Sequence, residues 1–287
     1  MGAHGEDPPK LPGGPLPDDI PYTLTNSVSW SPDSRRIAYR RRAGSTEIHI
    51  ETRDLNGGQP EVLESGPKLG QAFWWSPDGR LIYSLGEPEL GPGPGSSEVF
   101  SNLWEIRVET RSGKPIGKPR RITDWAGFSF VSLHGSGDGK RLVFSQETGE
   151  THVYVGELEA GGTRLKHAPR RLTSEEHNEF AGAWTPDSKA VIFVSERSGK
   201  SDIFRQAVDQ DLAEPVVTGT RANFDPRLSP DGSWILYVST AKGEDLFTSA
   251  PVQLMRVPAA GGPSEVVLTA CWSGYCCAPA DGVLYAF

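Results

Sequence analysis

Short apolar runs punctuate this chain, each set directly behind a polar turn: Ile37-Ala-Tyr39, Leu81-Ile-Tyr83, Leu142-Val-Phe144, Val191-Ile-Phe-Val194 and Ile235-Leu-Tyr237. Runs this short, bounded by turn residues, predict strands covered on both faces. No long helical periodicity appears. The turns in front of the runs are near-copies: Trp30-Ser-Pro-Asp-Ser, Trp75-Ser-Pro-Asp-Gly, Trp184-Thr-Pro-Asp-Ser and Leu228-Ser-Pro-Asp-Gly. Two weaker copies are Gly135-Ser-Gly-Asp-Gly and Ala278-Pro-Ala-Asp-Gly. In the full copies proline holds the second place, where a type I turn wants φ near −60°, and serine or threonine precedes it. Pro32, Asp33, Pro77, Asp78, Asp138, Pro186, Asp187, Pro230 and Asp231 are therefore expected to build turns, with each aspartate bonding the local backbone.

One repeat shows the rest of the unit. Ala181 to Thr185 reads as a first strand, Ala190 to Ser195 as a second, Ser201 to Gln206 as a third and Glu214 to Thr218 as a fourth. Other third strands are Thr46–Ile50, Asn102–Ile106, His152–Val155 and Gln253–Val257; fourth strands include Glu61–Leu63, Arg120–Thr123, Arg170–Thr173 and Glu265–Leu268. Four antiparallel strands joined by short turns make a propeller blade. The turn aspartates Asp33, Asp78, Asp138, Asp187, Asp231 and Asp281 lie 45, 60, 49, 44 and 50 residues apart, a period that signals a radial repeat. The long interval holds an insertion, Gly86 to Ser101, and a smaller one spans Ala241 to Pro251. Both fall between second and third strands.

The expectation is an all-β propeller of six blades, each a four-stranded antiparallel sheet. Residues 1–21, rich in proline and glycine, read as a disordered leader, and residues 22–287 as the propeller. The last blade stops at Phe287 after its second strand. Tyr22–Thr25 is expected to pair into it as the outer strand and close the ring, leaving either a three-stranded blade or a chain cut from a longer one.

These motifs resemble the TolB-type propeller, whose blades carry Ser-Pro-Asp-Gly-Lys-x-Ile-aliphatic-aromatic. Ser195-Glu-Arg-Ser-Gly-Lys-Ser-Asp-Ile-Phe204 and Asn223-Phe-Asp-Pro-Arg-Leu-Ser-Pro-Asp-Gly232 carry the likeness, which covers residues 22–287. Gly117–Phe128 and Leu254–Glu265 are similar to bacterial proteins that hold this propeller behind a serine/threonine kinase or a winged-helix regulator. The resemblance implies a periplasmic setting and a role as scaffold or sensor.

Composition narrows the alternatives. The net charge of −8 comes without a basic stripe, which argues against general nucleic-acid binding. No run approaches the ~20 apolar residues of a membrane span, so direct insertion is not expected. Of the three cysteines, Cys271, Cys276 and Cys277, a Cys271–Cys276 disulfide and burial as small side chains both stay open. No Gly-x-Ser-x-Gly elbow, paired histidine motif or phosphate loop is found, so no catalytic residue, metal or cofactor is assigned. Two alternatives stay open: a non-catalytic propeller domain separated from a prolyl-oligopeptidase-type hydrolase or a kinase, and, as an enzymatic reading, a propeller hydrolase with an axial site.

Binding is expected from the loops that precede each first strand, because they share a rim with the loops between second and third strands. Trp125, Phe128, His177, Asn178, Asn223, Phe224, Asp225 and Trp272 mix aromatic and polar groups there, the composition of an interface hot spot. A protein or peptide partner and a monomeric chain complete the reading.

Overall fold

Five four-stranded antiparallel sheets follow one another along the chain. The structure, a computed structural model, describes residues 28–43, 46–87, 100–125, 129–147, 150–159, 164–174, 176–240, 252–270, 275–277 and 284–286. Blade 1 is β1 (Val28–Trp30), β2 (Arg36–Ala43), β3 (Glu47–Asp54) and β4 (Glu61–Gly66); blade 2 is β5 (Leu69–Trp75), β6 (Arg80–Gly86), β7 (Ser101–Val108) and β8 (Pro115–Arg121). Blade 3 is β9 (Ser129–Gly135), β10 (Arg141–Glu147), β11 (Thr151–Glu157) and β12 (Arg170–Arg171); blade 4 is β13 (Glu179–Trp184), β14 (Ala190–Ser195), β15 (Asp202–Ala207) and β16 (Glu214–Val217). Blade 5 is β17 (Ala222–Leu228), β18 (Trp234–Thr240), β19 (Val252–Pro258) and β20 (Glu265–Ala270).

The expected count of six blades is corrected to five complete ones among the described residues. The sixth copy of the turn falls in a two-stranded hairpin, β21 (Tyr275–Cys277) and β22 (Leu284–Ala286). The physical reason is pairing: each complete blade joins four strands over 39 to 53 residues, whereas among the described residues β21 and β22 pair only with each other. The expected leader and the closing strand Tyr22–Thr25 lie outside the described residues. The two insertions are flanked as expected, since β6 ends at Gly86 and β7 starts at Ser101, while β18 ends at Thr240 and β19 starts at Val252.

Burial falls from the second strand outward. In β14 every residue from Val191 to Ser195 is buried, whereas β8 is exposed along almost its whole length. The core is a series of layers between blades rather than one centre. Leu69, Phe73 and Tyr83 of blade 2 meet Ala38, Ile50 and Leu63 of blade 1; Phe193 and Val191 of blade 4 meet Val143 and Val153 of blade 3. Each blade is also tied to the one before it. Backbone N–H groups of Trp75 and Ala181 donate to Ser29 Oγ (2.9 Å) and Ser145 Oγ (2.8 Å), and that of Asn223 donates to the Ser201 carbonyl (2.8 Å).

The turns form one repeated network. The hydroxyls of Ser31, Ser76, Ser136, Thr185 and Ser229 donate to Asp33, Asp78, Asp138, Asp187 and Asp231 at 2.5–2.7 Å. The same hydroxyl oxygens accept the backbone N–H that starts the second strand, at 2.9–3.0 Å. The fourth turn residue is left-handed in each of the five described copies: Ser34 and Ser188 at φ 55°, Gly79, Gly139 and Gly232 at 81°, 69° and 70°. At Gly232 a Cβ would also overlap the Pro186 ring of the neighbouring blade's turn. Serine pays a steric cost there that glycine avoids, so Ser188→Gly is expected to raise stability by a few tenths to about 1 kcal/mol in urea titrations.

Hydrogen bonds from Ser229 and Ser233 hold the Asp231 carboxyl down at about 2. Those from Ser136 and Thr185 likewise lower Asp138 and Asp187. A carboxyl whose pKa is depressed on folding stabilises the protein above the ordinary aspartate value near ~4 and loses that contribution as pH falls toward the folded value. Melting temperature should therefore drop between about pH 4 and pH 2, and Asp231→Asn should flatten that drop while lowering the value at neutral pH. An unchanged slope would remove Asp231 from the account.

Candidate rim cleft

Loops from three blades converge on one rim. The β10–β11 loop brings Glu150. The segment between β12 and β13 brings Glu176, His177 and Asn178. The β14–β15 loop brings Glu196, Gly199, Lys200 and Ser201, and β17 brings Ala222 and Phe224. Together they line a cleft of about 620 Å³.

Asn178 is its hinge point. Its Oδ1 accepts the Thr151 N–H at 3.1 Å, its Nδ2 donates to Glu196 Oε2 at 3.1 Å, and its carbonyl accepts the Glu196 N–H at 3.1 Å. One side chain thus sets the blade 3 loop and the blade 4 loop against each other. Lys200 is held by the buried carboxylate of Asp202, and Ser198 Oγ donates to the same group at 2.6 Å. The Arg197 guanidinium lies 4.4 Å from the centre of the Phe204 ring, and its Nη2 donates to Glu179 at 2.8 Å. The loop is therefore pinned at both ends before anything binds.

The residues singled out from sequence separate into three groups. His177, Asn178 and Phe224 line the cleft, with His177 exposed. Asn223 does not: it is 3% exposed, accepts Ser239 Oγ at 3.0 Å and donates to the Arg221 carbonyl at 3.1 Å. Trp125 is half-buried, its ring 5.8 Å from Phe130 and 5.9 Å from Phe144, and its N–H donates to Asn102 Oδ1 at 2.8 Å. Phe128 and Trp272 lie outside the described residues. Glu150, Glu196 and Lys200 were missed, because they come from loops between second and third strands whose sequences differ from blade to blade.

Asp225 lies on an inner strand and belongs to a second cluster. It takes a left-handed φ of 47° and receives Arg227 Nη2 at 2.7 Å. Arg227 Nη1 stands 3.0 Å from both ring nitrogens of His134 and 3.4 Å from the Gly182 carbonyl. A point equidistant from both nitrogens at that range lies over the ring face, so the guanidinium stacks on the imidazole. Inner strands of blades 3, 4 and 5 are joined there. Burial, reinforced by Arg227, holds the His134 imidazole well below its ordinary range and hence neutral; burial also pushes the Asp225 carboxyl up against the pull of Arg227.

The family profile described as the TolB beta propeller domain matches residues 117–260, half of the chain. The chain belongs to the TolB β-propeller family. An uncharacterised protein of Agrobacterium fabrum is 26% identical over 227 residues, covering 77% of this chain and 66% of that protein. The Tol-Pal system protein TolB of Anaeromyxobacter dehalogenans is 30% identical over 156 residues, covering 53% of this chain and 29% of that protein. The chain thus spans less than two thirds of these relatives. Among solved structures, a putative TolB from Agrobacterium tumefaciens superposes with a TM-score of 0.67 at 21% identity, covering 92% of this chain and 89% of that one. Prolyl oligopeptidase B from Galerina marginata reaches 0.58 at 12% identity, covering 84% and 34%. At such identities these structures show the fold alone. The kinase and winged-helix association implied by the resemblance finds no counterpart in these relatives.

Proposed function

We propose that this TolB-family propeller is a non-catalytic protein- or peptide-binding module, a scaffold or sensor of the periplasm, that engages its partner through the rim where blades 3, 4 and 5 meet. The observation that carries the reading is the cleft itself: loops of blades 3 and 4, pre-set by Asn178 and Arg197, and the start of β17 present an aromatic ring, an exposed histidine and hydrogen-bonding groups on one face. Pre-organised polar groups beside an aromatic are what a specific interface needs. Kinship with the Tol-Pal system protein TolB supports a protein as the partner.

The test is capture of partners from an envelope extract on the immobilised chain, with a His177→Ser/Phe224→Ser variant beside the wild type. Neither substitution touches a fully buried group, so the melting temperature should hold. Capture of the principal partner is expected to fall at least tenfold. Equal capture would remove this rim as the interface. Sustained turnover of peptidase, esterase or glycosidase substrates by the purified chain would overturn the non-catalytic half of the reading.

A further inference from the structure

The charges around the cleft specify what it takes. Three carboxylates line it, Glu150, Glu176 and Glu196, and its lysine, Lys200, is already engaged by Asp202. The oxygens of Glu196 accept from Asn178 Nδ2 at 3.1 Å and Ser201 Oγ at 3.5 Å, both neutral donors, so its charge is not cancelled. Glu150 stands 3.7 Å from His152 Nε2, and burial, with Arg171 alongside, holds that imidazole below its ordinary range. A neutral imidazole leaves the Glu150 charge in place.

The wall behind does not offset these charges. Glu179, next in the chain to the cleft-lining Asn178, is 0% exposed. Its Oε1 accepts Ser195 Oγ at 3.1 Å and Arg197 Nη2 at 2.8 Å, whereas its Oε2 meets no hydrogen-bond donor among the described residues. A fully buried carboxylate oxygen without a donor is an expensive thing to keep. Arg197 balances this carboxylate, and being spent on Glu179 it leaves the three cleft carboxylates unmatched. The whole chain, at −8, leans the same way and favours approach of a basic partner over an acidic one.

We propose that the cleft docks a lysine or arginine side chain carried on an extended segment of a partner protein. The stem lies along Phe224 and the cationic head reaches the carboxylates of Glu150, Glu176 and Glu196. Long basic side chains bury their methylenes against apolar surface while the head makes charge-assisted hydrogen bonds. A volume of about 620 Å³ exceeds one side chain and leaves room for the flanking residues of the segment. This rests on the reading of the rim as a binding face.

The experiment is selection of a random heptapeptide display library on the purified full chain, followed by titration of the enriched peptides as fluorescein conjugates. The expected result is enrichment of peptides with a central lysine or arginine. Their affinity should fall at least tenfold, about 1.4 kcal/mol, for Glu150→Gln/Glu176→Gln/Glu196→Gln, and likewise when the basic residue is replaced by citrulline or norleucine. The control variant Glu157→Gln/Glu214→Gln, on β11 and β16 and outside the cleft lining, should bind as the wild type does. Melting curves check that each variant is folded. Enriched peptides lacking a basic residue, yet weakened by Phe224→Ser, would overturn the basic-side-chain proposal and leave the rim as a binding face. Loss of affinity equal in the cleft and control variants would reduce the effect to net charge and overturn it. If no enriched peptide is weakened by any rim variant, both readings fall.

Discussion

Arg80→Ala is expected to destabilise the protein by about 3–5 kcal/mol, because it strands a buried carboxylate. The Arg80 side chain is 2% exposed and spans two acids: its Nε donates to Asp78 at 2.8 and 3.0 Å, and its Nη1 to Glu105 at 2.7 Å. Glu105 is 6% exposed and is shared with Arg120, itself more than half exposed. Asp78 is also the turn aspartate of blade 2, lowered despite burial by hydrogen bonds from Ser76 and Arg80. The arginine therefore ties the turn to the third strand. Removing it leaves Glu105 desolvated with one solvent-screened partner. The check is a urea or thermal midpoint measured beside Arg80→Met/Glu105→Leu. Replacing both charges by apolar groups removes the stranded carboxylate, so the double variant should recover most of the loss. A single variant that costs less than about 1 kcal/mol would mean that the network is solvated in solution.

Phe144→Ala is the second large effect, about 3–5 kcal/mol. Phe144 is 0% exposed and sits at the centre of an aromatic group: Phe130 edge-on at 5.2 Å, Trp125 at 5.9 Å and Tyr154 stacked at 6.0 Å. The group belongs to the layer between blades 2 and 3, with Ala72, Ile82 and Leu103 on the blade 2 side. Truncation opens a cavity that the three remaining rigid rings and two sheets cannot easily close. Trp125→Ala should cost less because that ring is half-buried. The double variant should fall short of additive, since each truncation removes the contact the other would lose. Strict additivity would show that Trp125 stands free of the layer and is available to a ligand.

Legibility along the chain follows the range of the interactions involved. The second strand of blade 4 was read as Ala190 to Ser195 and is Ala190–Ser195. The third strand of blade 2 was read as Asn102–Ile106 and runs Ser101–Val108, three residues longer, because the ladder continues at both ends beyond the patterned core. Fourth strands were read least well. Of the expected Arg170–Thr173, the strand keeps Arg170 and Arg171; Leu172 N–H still donates to the Val153 carbonyl at 2.8 Å, and the Thr173 hydroxyl oxygen accepts the Val153 N–H at 3.4 Å. Outer strands carry little apolar pattern because they bury little.

The rim divided differently. Asn223, Phe224 and Asp225 are consecutive and were read as one loop. In the structure they point to a buried network, to the cleft and to the inner-strand cluster. Strand alternation separates the first two, and the left-handed Asp225 turns the third. By itself, the sequence determined the repeat, the turn chemistry and the propeller class, since each depends on residues within a few positions of one another. Only the tertiary structure decided that five blades are complete among the described residues and that Glu150, His177 and Glu196 from loops share one cleft with Phe224 of β17. The reason is that blades meet through side chains about 45 residues apart, a distance at which a local pattern holds no information about what faces what.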